Sequence, residues 1–170
     1  MKKLVLVFVA IIFLSACEQQ KIGYVDNGKV INEIQEKKDI ESKYTLLDES
    51  FKKRADSIGN VYRTEFQALQ TKYARASQQK QQEMMLPLQA KAQQFQQQMQ
   101  NEQTQMQTAY QTEIDSVISK MKLYVKDYAK NNGYNYIFGT NESVGTVLYG
   151  DEGSDISQNI IDGLNDTYKK

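Results

Sequence analysis

The stretch IESKYTLLDESFKKRADSIGNVYRTEFQALQTKYARA, residues 40–76, decides the fold. Apolar residues recur in it at Ile40, Tyr44, Leu47, Phe51, Ala55, Ile58, Tyr62, Phe66, Leu69, Tyr73 and Ala76. Spacings of three and four put all of them on one face of a helix, with charged residues on the others. Tyr44, Ala55 and Phe66 follow an eleven-residue step, as do Leu47, Ile58 and Leu69. That step corresponds to about 3.67 residues per turn, close to the free helix, so a nearly straight arm is expected. Gly59 is its weak point, costing about 1 kcal/mol relative to alanine.

A second series of the same period follows: Leu88, Ala92, Phe95, Met99, Met106, Tyr110, Ile114, Val117, Met121, Tyr124 and Tyr128. Gln103 occupies the one seam position without an apolar residue. The series stops at Asn131-Asn132-Gly133, a good helix terminator. Two helices that each carry one apolar stripe bury it against each other. Arms of roughly 45–50 residues would extend about 70 Å. The apolar rhythm lapses in the glutamine-rich run after Ser77, so equal arms place the turn between Thr71 and Glu83. Pro87 either marks the first turn of the second helix, which moves the tip later, or kinks that helix a turn or two beyond the tip, the placement that equal arms favour.

Outside the hairpin the period changes. Lys21 to Asp26 reads as a short strand with Ile22, Tyr24 and Asp26 on one side, and Asn27 as the following helix cap. Tyr134, Tyr136 and Phe138 alternate as a strand does, Thr140 to Ser143 is turn-like, and Gly145 to Tyr149 reads as another short strand. Asp155 is expected to cap a last helix through Ile156, Ile160, Ile161 and Leu164, with Gln158 at the capping-box position. The strands from the two chain ends must pair to close the base of the hairpin. The fold class is therefore α+β, mainly α: a long antiparallel helical hairpin, a coiled-coil arm, inserted into a small β-containing head. Three short strands are marginal alone, so oligomerisation through the head is expected.

The first residues read as an address. Lys2 and Lys3 precede an unbroken apolar run from Leu4 to Leu14. The run is shorter than the roughly 20 residues a membrane-spanning helix needs, and it suits a signal peptide. It ends in Leu14-Ser15-Ala16-Cys17, which resembles a bacterial lipobox, with Cys17 as the lipidated first residue of the mature chain. That gives residues 1–16 as a lipoprotein signal peptide, 17–39 and 131–170 as the head, and 40–130 as the arm. The expected location is the cell envelope, on the periplasmic side, anchored to the inner or outer membrane.

Composition removes whole classes of activity. The 170 residues include no histidine, one cysteine, and equal numbers of basic and acidic residues, 21 each. There is no imidazole base or ligand, and a single cysteine builds neither a zinc site nor an internal disulfide. Neutral charge argues against nucleic acid as a partner. Asp151 to Asp155 lacks the twelve-residue spacing and distal glutamate of a calcium loop and reads as a turn and cap. No enzyme activity, cofactor or metal is expected.

Three stretches carry a family likeness. They are Lys21 to Ile31 (KIGYVDNGKVI), Ile118 to Phe138 with its NGYNYIF ending, and Val147-Leu-Tyr-Gly150 followed by Ser154-Asp-Ile-Ser157 and Ile160 to Asn165. In this order, around a glutamine-rich helical hairpin, the sequence resembles the Skp (OmpH-like) periplasmic chaperones. The resemblance implies a homotrimer whose hairpins surround a cavity and hold unfolded outer-membrane proteins without ATP. The competing expectation is a coiled-coil structural lipoprotein that spaces or tethers envelope components. The chain departs from the family's strongly basic arms. Residues 40–130 hold 13 basic and 10 acidic residues, and residues 131–170 hold 2 and 6.

Between Ser77 and Gln111 there are 15 glutamines and four methionines. Glutamine is uncharged, helix-forming and able to donate and accept hydrogen bonds. It suits either a neutral, adaptable cavity wall or a solvated helix face. Methionine is over-used at promiscuous surfaces. Met84, Met85, Leu86, Phe95, Met99 and Met106 are the candidate client-binding residues. Seam aromatics such as Phe51, Tyr62, Phe66, Tyr73, Phe95 and Tyr110 pack within the hairpin or face a cavity where arms splay.

Overall fold

The structure, a computed structural model, describes residues 20–141 and 145–169. The leader and Cys17 lie outside them, as does the middle of the turn expected after Thr140. The chain forms two compact units, one from Gln35 to Ile118 and one from the described residues up to Ile34 together with those from Ser119.

In the second of these, β1 (Ile22–Asp26) runs into α1 (Asn27–Glu33). The cap is Asp26 rather than the expected Asn27: its carboxylate accepts from the Lys29 N–H at 3.0 Å. An acidic last strand residue thereby meets one of the unpaired donors of the first helical turn. β2 (Tyr136–Thr140) pairs with β1 in parallel, Ile22 opposite Tyr136 and Asp26 opposite Thr140. Parallel pairing requires a crossover, and the whole hairpin is that crossover.

The expected strand at Gly145 to Tyr149 does not form; those residues are irregular. The physical reason lies on the other edge of β1. There Tyr24 bridges Asp155, and the Ile156 N–H donates to the Tyr24 carbonyl at 3.0 Å. With one edge taken by β2 and the other by residues 155–156, β1 has no edge left. The final helix α4 (Ser157–Tyr168) starts later than expected, after Ile156. Asp155 instead accepts from both the N–H and the hydroxyl of Ser157, at 2.8 and 2.5 Å. Gln158 donates to Asp162 rather than closing a capping box. The Ser157 hydroxyl in turn accepts from the Asp26 N–H at 2.8 Å. Val25, Val30, Ile34, Met121, Ile156, Ile160 and Ile161 are buried in this unit. Gly163 is small because the Tyr124 hydroxyl occupies the space a Cβ would need.

The other unit is the hairpin as far as Ile118; the last turns of its second helix belong to the head unit. After a break at Ile34, whose backbone is extended, α2 (Gln35–Lys72) and α3 (Gln78–Asn131) are joined by residues 73–77. The turn thus falls within the expected window, and Pro87 lies inside α3. Ser77 caps α3 by accepting from the Lys80 N–H at 3.4 Å, and the Gln81 side chain donates to the Ala74 and Ala76 carbonyls. At its far end α3 stops on Gly133, at φ 71°, where the Tyr134 N–H bonds the Ala129 carbonyl in a Schellman turn. Lys21 is fastened to that turn by its ammonium on the Asn132 carbonyl and by its backbone on Asn135. No helix among the described residues is long and apolar enough to cross a membrane.

Candidate functional site

The arm carries all six candidate client-binding residues, and its seam is built as the sequence periods require. Along α2 every residue of the apolar series is buried or half-buried except Leu47, and every one along α3 as well. Tyr44 meets Tyr110 edge-on with ring centres 5.2 Å apart, and Tyr62 meets Phe95 at 5.7 Å. Ion pairs flank the rings. Lys43 reaches Glu113 at 2.6 Å, and Arg54 pairs with Glu102. As positions rise along α2 their partners fall along α3, the antiparallel register.

The Lys43–Glu113 pair is a small network. The Tyr44 hydroxyl also donates to Glu113, at 2.9 Å. Hydrogen bonds from Lys43 and then Tyr44 hold the Glu113 carboxyl below the usual carboxylate range. Its bond to Glu113 raises Lys43. Desolvation, followed by the bond to Glu113, raises Tyr44. Lys43 is exposed and Tyr44 and Glu113 are half-covered, so the ion pair contributes little to stability.

The six candidate residues occupy different environments. Met84 and Met85 are half-buried near the tip, and Leu86 beside them is 61% exposed. Phe95 packs on Tyr62 in the seam, and Met99 is half-buried one turn on. Met106 lines an open groove of about 740 Å³ beside Gln103, the gap in the apolar series. On α3, Gln94, Gln97, Gln98, Asn101, Glu102 and Gln105 line a shallow concavity of about 640 Å³. Its one charge, Glu102, is matched by Arg54, so that face presents neutral amides. Sequence periodicity did not single out Leu46 and Val61, which are exposed on α2. Their signal was being apolar while off the seam.

In the head, β1 and β2 have two unlike faces. Val25 is buried on one, the side of the head's core. Ile22, Tyr24, Tyr136 and Phe138 share the other, since parallel register places paired residues on the same side. Ile22, Tyr136 and Phe138 are exposed there, the two rings stacked 6.2 Å apart. A concavity of about 530 Å³ lies against that face, bounded by Val147, Leu148 and Tyr149. Leu148 is 95% and Tyr149 88% exposed.

A long antiparallel helical hairpin inserted between two parallel strands of a small head defines an arm-bearing α+β protein. The chain belongs to the outer membrane protein (OmpH-like) family, whose model matches residues 21–164. Among solved structures it is similar to an OmpH-like protein of Caulobacter crescentus CB15 assigned as an outer membrane chaperone. The likeness covers 88% of this chain and 86% of that one, with a TM-score of 0.76 and 13% identity. At that identity the likeness is one of fold. No curated protein matches the chain.

Proposed function

We propose that the protein is an ATP-independent holdase of the cell envelope that binds unfolded outer-membrane proteins between helical arms. The observation that carries this is the arm itself. It pairs an apolar seam with a neutral amide face and leaves flexible or apolar side chains, Met84, Met85 and Leu86, near the tip. Such a surface makes many weak contacts and few strong ones, which suits clients of differing sequence. Family membership supports the same class of client.

The active form is a homotrimer joined through the head, and Cys17 carries the lipid that holds it to the membrane. The assembly is supported by the bare sheet face. Three exposed apolar side chains on a two-stranded sheet, beside Leu148 and Tyr149, form the kind of patch a soluble monomer rarely leaves open. The outer edge of β2 has no strand partner among the described residues. The test is dilution of a urea-unfolded β-barrel protein into buffer with the purified chain. Light scattering is expected to fall as the chain approaches one trimer per client. No suppression at several-fold trimer excess refutes the proposal.

A further inference from the structure

The last turns of α3 carry a charge pattern that neither the seam nor the head's core uses. Residues 119–131 hold four lysines and one acidic residue, Asp127, whereas residues 131–170 hold 2 basic and 6 acidic residues. Lys122, Lys126 and Lys130 are spaced by four, so they form one row about 12 Å long. The row lies on the side of the helix away from Val117, Met121, Tyr124 and Tyr128, the residues α3 turns inward. All three lysines are exposed, and none makes an ion pair among the described residues. Lys37, Lys43, Lys52, Arg54 and Lys80 of the arm, by contrast, each sit on a carboxylate. Leu123 stands among the row, 59% exposed. Lysines around an exposed leucine make a surface that suits anionic headgroups with acyl chains beneath them.

The row ends where the amino-terminal segment enters the head. The Lys21 ammonium donates to the Asn132 carbonyl at 2.9 Å, and the Lys21 backbone N–H donates to the Asn135 side chain at 2.8 Å. Lys130 is two positions before Asn132, so Lys21 is fastened beside the end of the row. Cys17 is four residues before Lys21, a span of at most about 14 Å. A lipid on Cys17 therefore keeps headgroups within reach of these lysines at a high effective concentration. An acidic protein segment offers the same charge without that constraint, and reaches the row only at the full entropic cost of association.

We propose that Lys122, Leu123, Lys126 and Lys130 form a docking face for a surface of anionic phospholipid. The assignment rests on the reading of Cys17 as the lipid anchor and adds an orientation to it: the last turns of α3 lie along the headgroups. Each lysine near such a surface shifts the balance toward the docked state about fivefold, and the attraction fades within a Debye length.

The test exploits the absence of tryptophan from the chain. Leu123→Trp puts a single fluorophore in the row of the mature, lipidated protein. That protein is reconstituted in vesicles of phosphatidylcholine brominated high on its acyl chains. Replacing about one-third of the lipid with phosphatidylglycerol should raise the quenching about twofold, and high salt should undo the gain. Lys122→Gln, Lys126→Gln and Lys130→Gln together keep good helix formers and add no repulsion. They should abolish the gain while far-UV circular dichroism stays unchanged. Quenching that ignores phosphatidylglycerol, or a gain that survives the salt or the three substitutions, overturns the assignment. A reporter that responds to an acidic unfolded protein and not to phosphatidylglycerol overturns it in favour of a protein partner. Flotation with vesicles of phosphatidylcholine alone reads the anchor separately. A chain that floats with them and shows no phosphatidylglycerol gain rejects the docking face alone. One that does not float with them, yet shows the gain, rejects the anchor alone.

Discussion

Ser157 ties three parts of the head together, and replacing it with alanine should cost far more than one hydroxyl suggests. Its side chain is fully buried, accepts from the Asp26 N–H at 2.8 Å and donates to Asp155 at 2.5 Å. In Ser157→Ala the Asp26 N–H loses its acceptor in a place water does not reach freely. An unpaired buried donor costs about 1–3 kcal/mol. The lost bond to the Asp155 carboxylate adds to this, but Asp155 keeps the Ser157 N–H and so is not stranded. A net loss of about 2 kcal/mol follows from those two terms. With a urea dependence of about 1–3 kcal/mol per molar, the head's unfolding midpoint should drop by roughly 1 M. The assay is urea unfolding of the full chain, followed by hydrogen exchange of head amides, with Asp26 exchanging fastest relative to the parent. Gln158→Ala, which removes only a surface bond to Asp162, is the control and should stay within about 0.5 kcal/mol. If Ser157→Ala matches that control and leaves Asp26 protected, the argument from the buried donor is wrong.

Gly59→Ala should stabilise the arm by about 1 kcal/mol, because a Cβ there meets nothing within 4 Å and alanine is the better helix former; thermal unfolding by circular dichroism measures it, and a decrease refutes it. Leu148→Ser with Tyr149→Ser should leave the unfolding of a dissociated chain unchanged but lower its sedimentation mass, since both side chains stand almost free of their own subunit; an unchanged mass refutes their place in the assembly. The Lys43–Glu113 network should make arm stability flat at neutral pH and lower at both extremes. Glu113, with its lowered value, contributes above the usual carboxylate range and loses that contribution as pH falls through the lowered value. Lys43, raised, contributes below the ordinary lysine range and loses it as pH rises through the raised value. In a thermal midpoint series against pH, Glu113→Gln should remove this pair's share of the acid limb; an unchanged limb refutes it.

The hairpin was legible because each of its helices buries a single stripe, and one stripe leaves one period. Even the exception at Gln103 was visible as a gap, though not as a groove, which depends on what Tyr44, Thr45 and Asp48 do on the facing helix. The head was harder to read. Nothing in Glu33-Ile34-Gln35 is a helix breaker, and the chain turns extended there, where Ile34 is buried. Asp26 and Asn27 are both good caps, and the choice between them follows from where β1 ends. Gly145 to Tyr149 has a strand's composition, but residues 155–156 hold the second edge of β1, and the segment pairs with neither strand of the sheet. The six candidate residues could be named from composition and place, yet their differing exposure follows from the seam register.

The pairing of Ile22 with Tyr136 has a consequence for how the molecule comes to be made. A chain that emerges from its amino end delivers β1 long before its partner exists. Until then both hydrogen-bonding edges of the first strand are vacant, because β2 and residues 155–156, which fill them, come late in the chain. Closing so long a loop in one step would be slow, because distant contacts bear the full chain entropy. The hairpin shortens the journey, since its turn needs only neighbours in sequence and its seam zips away from residues 73–77 one helical turn at a time. By the time Lys43 reaches Glu113, the two ends of the arm are already side by side. The order of events is therefore arm first and head last, with Ser157 setting the final bolt.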